Sequence, residues 1–302
     1  MSPVHVSPGI HSLSPADYHA HPAIGASFLK DADADCLAYA RWHKDHPDAP
    51  SSAWTTQRRS TALHMMLLEP DAFEAHYVVG TGCDAVLKSG ERAGKSCGSA
   101  SGRFVRTPGG LTRFYCGKHD DPMLVAEPRE AMTIEASDEL AAMATSLRAV
   151  GGDLLAKATH KEASFVWTDP ETGVLCKCRP DLIVGSTIYD VKALADVSPA
   201  RWGKILLDNG MFFQPVHYVA GAQACGLDVQ HFAWLTVANT PPYLAVVHPP
   251  MDEVSLDVAE TFRADLLRRI AACEQSGNWE PYAAPEVTRL PEWFLNTFSV
   301  GV

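Results

Sequence analysis

Asp190 and Lys192 stand two residues apart in Thr-Ile-Tyr-Asp-Val-Lys (187–192), and Asp181 precedes them in Cys-Arg-Pro-Asp (178–181). On a strand, positions i and i+2 share a face. Asp190 and Lys192 would therefore present a carboxylate beside an ammonium. A turn at Gly185-Ser186 would bring Asp181 opposite them on a paired strand. Hard oxygen ligands of this kind suit Mg²⁺ or Mn²⁺, which bind through one or two carboxylates and the phosphates of a substrate. An isolated Asp-x-Lys is more often a surface ion pair, so the rest of the chain has to add to it.

Further residues do so. His64 lies in Thr-Ala-Leu-His-Met-Met-Leu-Leu-Glu-Pro (61–70), an apolar helical stretch, where an imidazole is either a core residue or a metal ligand. Gln214 and Tyr218 are four apart and share a helix face, able to hold a phosphate or a base edge. Pro215 is tolerated there only if the helix begins near 214. Glu162 offers another carboxylate on a preceding strand, although its alternation with its neighbours reads as an exposed position.

A second set has different chemistry. Cys83, Cys97, Cys116 and His119 supply soft and borderline ligands suited to tetrahedral Zn²⁺. They lie in 81–122, a glycine-rich and basic stretch (Lys88, Arg92, Lys95, Arg103, Arg106, Arg113, Lys118) with few aliphatics. It reads as an inserted module that needs a metal to fold. Cys176 and Cys178 share a strand face and read as core thiols. Cys36, Cys225 and Cys273 lack the clustering an iron–sulfur centre requires.

The elements that must position these groups follow from periodicity. Helices are expected over 12–80, with a start at Ser14-Pro15 and one helix spanning 55–69 before Pro70. Helix returns at 129–158. Strands are expected at 162–167, 174–184, 187–194, 231–238 and 243–248, and helices at 199–208, 211–225 and 256–275. The result is an α/β fold, a mixed sheet flanked by helices, in one domain spanning 1–302 with the 81–122 insertion. The 302 residues are 46% hydrophobic and carry a formal charge of −11, which argues against a protein that coats nucleic acid by bulk charge. No apolar run of about 18 residues or basic leader appears, so no membrane partner and a cytoplasmic location are expected.

The order of these motifs resembles the PD-(D/E)XK nuclease superfamily, with its restriction-endonuclease-like core. Within it the chain resembles the RecB/RecE branch, and there the RecE-type (exonuclease VIII) C-terminal nuclease domains. Pro8–His19 followed by Ala26–Lys30, then Ala62–Pro70, Glu162–Trp167 and Leu290-Pro-Glu-Trp293, look like further blocks of that family. The resemblance implies that His64, Asp181, Asp190 and the Val191 carbonyl bind Mg²⁺ and that Lys192 positions the attacking water. It also implies that Gln214 and Tyr218 hold double-stranded DNA near the cleaved end. It further implies a 5′-to-3′ exodeoxyribonuclease of phage or prophage type, serving recombination or repair, with a ring-shaped homo-oligomer and a single-strand annealing partner. A non-catalytic binding scaffold and a structure-specific endonuclease of the same fold are the alternatives.

Overall fold

The structure, a computed structural model, describes residues 6–46, 54–80, 82–91, 93–99, 103–106, 112–116, 118–119, 125–126, 129–284 and 287–290. Side chains at 54–57, 103–106, 112–113, 125–126 and 131 are not described. Pro291, Glu292 and Trp293 of the last block, and Arg92 of the insert, lie outside the described residues.

In chain order the elements are β1 (Gly9–His11), α1 (Pro15–Ala20), α2 (Ala26–Ala34), α3 (Leu37–Asp45), α4 (Trp54–Leu68) and α5 (Pro70–His76). Next come β2 (Tyr77–Gly80), β3 (Arg103–Arg106), β4 (Thr112–Tyr115), β5 (Val125–Ala126), β6 (Glu130–Thr133) and α6 (Ile134–Lys157). Then follow β7 (His160–Lys161), β8 (Ser164–Thr168), β9 (Leu175–Cys178), β10 (Leu182–Val184) and β11 (Thr187–Leu194). The last elements are α7 (Trp202–Asp208), α8 (Phe213–Ala224), β12 (His231–Ala238), β13 (Ala245–His248) and α9 (Glu253–Ser276). Among the described residues, no helix is long and apolar enough to cross a membrane.

The central sheet runs β13-β12-β11-β10-β7. β11 and β12 pair in parallel and the other neighbours antiparallel, so the sheet is mixed, as expected. The turn between β10 and β11 is Gly185-Ser186, with Val184 opposite Thr187. Gly185 has φ +57°, a left-handed conformation suited to glycine in a tight hairpin. β1, β8 and β9 make a separate antiparallel sheet.

The stretch 174–184, expected as one strand, is two. Pro180 has no N–H to give a ladder, and the chain changes sheets between Cys178 and Leu182. The strand expected from 162 starts only at Ser164, because Glu162 takes φ +49° and breaks it.

Each face of the central sheet meets its own core. Ile188 and Trp234 join residues of α2, α8 and α9 in one cluster. Val191, Leu235 and Val237 join α4 and α6 in the other. α8 approaches β8 closely because Gly221 has no side chain: a Cβ there would lie 2.5 Å from Trp167 Cζ3.

Candidate active site

β11 is eight residues long and β10 is three, so β10 begins only at Leu182, opposite Tyr189, and among the described residues no strand pairs with the later part of β11 on that side. Side chains fill the gap. Asp181, just before β10, accepts the Val191 N–H through Oδ2 at 2.5 Å. His64 Nε2, from α4, lies 3.0 Å from the Val191 carbonyl oxygen. The strand that stops short is thus what exposes a main-chain carbonyl to the site. Asp190 and Lys192, on the alternate face from Val191, form an ion pair through Asp190 Oδ2 and Lys192 Nζ.

Glu162 joins this group. His64 Nδ1 lies 3.5 Å from both Glu162 Oε1 and Asp181 Oδ1. The other Glu162 oxygen accepts from Arg179 Nε at 2.8 Å. His64, Glu162 and Asp181 form a cluster whose ligand atoms all lie within 4.8 Å of one another. Sequence alternation had placed Glu162 on an exposed strand face. Its left-handed φ, which no periodicity signals, turns it inward instead.

Charge accounts for the perturbed groups. Burial pushes the Asp181 carboxyl well above its usual range, against the His64 charge and reinforced by Asp190. Burial alone would lower His64, but Asp181 and Glu162 outweigh it and raise the imidazole to about 9. Lys192 is raised in spite of burial by Asp190 and then Asp181. Carboxylates crowded in a dry place call for a cation.

The donor set fits one. Asp181, Asp190, an imidazole and a carbonyl are hard or borderline ligands suited to Mg²⁺ or Mn²⁺, with the Glu162 carboxylate behind the imidazole. Adjacent ligands of an octahedral cation with bonds of about 2.1 Å lie about 3.0 Å apart. The His64 Nε2 and Val191 oxygen are separated by 3.0 Å.

These groups line a cavity of about 290 Å³, together with Tyr18 and His19 on one wall and Ser60, Thr61 and Glu69 on another. The first wall is tied down from β9 and the bend after it. Lys177 Nζ donates to the carbonyls of Tyr18 at 2.5 Å and His21 at 2.9 Å, and Arg179 to that of Leu13 at 3.1 Å. Tyr218 also lines the cavity. Gln214 donates to Asp190 Oδ1 at 3.3 Å, so it buttresses that carboxylate rather than lining the cavity. α8 begins at Phe213, and Pro215 sits in its first turn, where it costs no hydrogen bond.

The second cluster is also assembled. The ligand atoms of Cys83, Cys97, Cys116 and His119 all lie within 4.8 Å of one another. Cys83 and Cys116 sulfurs lie 3.5 and 3.4 Å from His119 Nδ1, and the Cys97 and Cys116 sulfurs are 3.9 Å apart. Bonds from Cys97 N to Ala85 O and Gly98 N to Cys83 O bring the first two cysteines together, and His119 N bonds Cys116 O. Gly98 takes φ +70° in that closure. Bonds from Ser99 bring the Cys97 thiol down to about 6. Cys176 and Cys178 are fully buried in the core, as expected.

No protein-family model and no curated protein matches the chain. Among solved structures, a crystal structure from Eubacterium rectale at 2.19 Å resolution, described as a "putative exonuclease", is similar with a TM-score of 0.54. The alignment covers 96% of this chain and 99% of that one at 13% identity. A likeness so extensive at so low an identity shows shared architecture: the expected α/β core, with its mixed sheet flanked by helices, is a fold that the two proteins share.

Proposed function

We propose that the chain is a Mg²⁺-dependent nuclease of the PD-(D/E)XK type. The observation that carries this is the convergence of His64, Asp181, Asp190, Lys192 and the Val191 carbonyl on one cavity, where β10 stops short of β11. Asp181, Asp190, His64 and the Val191 carbonyl would hold the cation. When bound, the cation polarises the phosphate and acidifies water. Lys192 orients the attacking water and offsets negative charge developing on the phosphate. Gln214 fixes the Asp190 carboxylate. Tyr218 presents a ring to the nucleotide beside the cleaved bond.

The finer reading is an exodeoxyribonuclease that degrades linear double-stranded DNA from 5′ ends in recombination or repair. Its partners would be further copies of itself and a single-strand annealing protein. The motif order supports this, together with the name carried by the Eubacterium rectale protein. The test uses linear duplex labelled at the 5′ or the 3′ end, with Mg²⁺ or EDTA, beside Asp190→Ala and Lys192→Ala. Release of 5′ label from linear DNA by the wild type alone, abolished by EDTA, is expected. Cleavage of closed circles would favour the endonuclease. Activity in EDTA, or equal activity of the variants, would overturn the mechanism. Inactive wild type that still binds DNA would favour the scaffold.

The 81–122 insertion is read as a structural Zn²⁺ module. Tetrahedral zinc places paired sulfurs about 3.8 Å apart, and sulfur and nitrogen about 3.6 Å apart. The observed separations are 3.9 Å and 3.4–3.5 Å. Elemental analysis of reduced protein is expected to give about one equivalent of zinc. Less than about half an equivalent counts against the site.

A further inference from the structure

Glu162 occupies a backbone conformation it does not favour. A residue other than glycine at positive φ is uncommon, and Asn, Asp and His are the types enriched there. At φ +49°, Glu162 is held there by its own N–H, which bonds the Asp181 carbonyl at 3.2 Å, and by Arg179, which grips Oε2. Strain of this kind persists where surrounding structure over-determines it, and such positions cluster at functional sites. A mere structural ion pair would need only Arg179. The second oxygen, Oε1, is instead aimed at His64 Nδ1, and the side chain keeps only 13% of its surface exposed.

The imidazole is thereby held between two edges. Nδ1 faces Glu162 and Asp181, while Nε2 faces the Val191 carbonyl. A metal-binding histidine usually donates its far N–H to a carboxylate or carbonyl, which fixes tautomer and orientation. We propose that Glu162 is a positioning residue of the metal centre. It accepts the His64 Nδ1 proton and so leaves Nε2 beside the Val191 carbonyl as a preformed pair of ligands. Arg179 completes the device by locking Glu162, and by holding Leu13 it couples the same carboxylate to the cavity wall. The proposal rests on the metal-nuclease reading.

Binding of Mn²⁺ to the full chain, followed by the loss of the free-ion electron paramagnetic resonance signal, tests it without turnover. Glu162→Ala is expected to weaken binding about 10–100-fold. Glu162→Gln has one acceptor oxygen for two donors, so it should recover most of that loss only when paired with Arg179→Met, which frees that oxygen for Nδ1. Nitrogen-15 spectra of the His64 ring with Mg²⁺ should show a proton on Nδ1 alone in wild type and a mixture of ring forms in Glu162→Ala. Unchanged Mn²⁺ affinity in a folded Glu162→Ala variant would overturn the proposal. So would Gln paired with Arg179→Met behaving as badly as Ala, which would make Glu162 a direct ligand. Wild type that binds no Mn²⁺ would instead bring down the metal-nuclease reading itself.

Discussion

On the proposed mechanism Lys192 would separate catalysis from metal binding, because its ammonium repels a cation while it steadies a phosphate. Replacing it with alanine is expected to lower kcat by about 10²–10³-fold, the usual effect of removing one preorganised group that stabilises charge. Mn²⁺ affinity should hold or rise, and a tenfold loss of affinity would show Lys192 to be structural instead. Lys192 and Asp190 could be picked out from their spacing because a strand alternates with period two. His64 was visible as a polar residue in an apolar helix, though nothing local distinguished a ligand from a core residue. Glu162 was legible only as a residue type. Its role depends on one dihedral angle, fixed by the distant Asp181 carbonyl and Arg179. Gln214 was found by helical spacing, but its contact with Asp190 depends on how α8 docks against β11.

At the scale of elements, close packing decides which glycines can change. Gly221 and Gly152 both lie inside helices. An added Cβ at Gly221 would meet the rigid Trp167 ring at 2.5–2.9 Å, whereas one at Gly152 would meet nothing within 4 Å. Gly152→Ala should therefore stabilise the protein by about 0.5–1 kcal/mol through helix propensity. Gly221→Ala should destabilise it by about 1–3 kcal/mol through overpacking. Denaturant midpoints would decide, and equal shifts would refute the α8–β8 contact.

The turn between β8 and β9 is tied to α9 by Asp169, whose Oδ2 lies 3.3 Å from Arg263 Nη1 and whose Oδ1 accepts from Thr172. Burial would raise this carboxyl, but Thr172 and Arg263 hold it below its usual value. Glu260 still grips Arg263 Nε at 2.7 Å and Nη2 at 2.6 Å, so Asp169→Asn removes only the charge facing Nη1 and should cost about 1 kcal/mol. A depressed carboxylate contributes fully above its unfolded value of about 3.9, and the contribution is lost as pH falls through the folded value. The gap in Tm between wild type and Asp169→Asn should accordingly narrow as pH falls from about 5 to 3. A constant gap would remove the pair from the account. Strand limits at 187–194 and 231–238 could be read from alternation and β-branching alone. The switch of sheets at Pro180 could not, because which strand Leu175–Cys178 pairs with is settled by β1 and β8, far away in sequence.

Across the described residues, neither apolar cluster has a fully buried member between Tyr77 and Leu140, and Met132 of β6 packs against the second from its edge. The 81–122 stretch leaves from β2, and the chain re-enters at β6, two strands that pair with each other in parallel. The module thus hangs from a junction that is already closed by backbone bonds. On the zinc reading its fold would rely on Cys83, Cys97, Cys116 and His119 rather than on an apolar core, which is why its cysteine spacing was informative while its secondary structure was not. Chelation at neutral pH should therefore release one equivalent of zinc and unfold the module locally. Amide hydrogen exchange is expected to quicken across 82–119 and to stay slow in α6, β11 and β12, whose opening tracks global unfolding. The main thermal transition should move little, and Mn²⁺ binding at His64 and Asp181 should survive. Exchange that quickens throughout the central sheet would instead mean that the zinc holds the core together, and that the insertion cannot be separated from the domain that carries it.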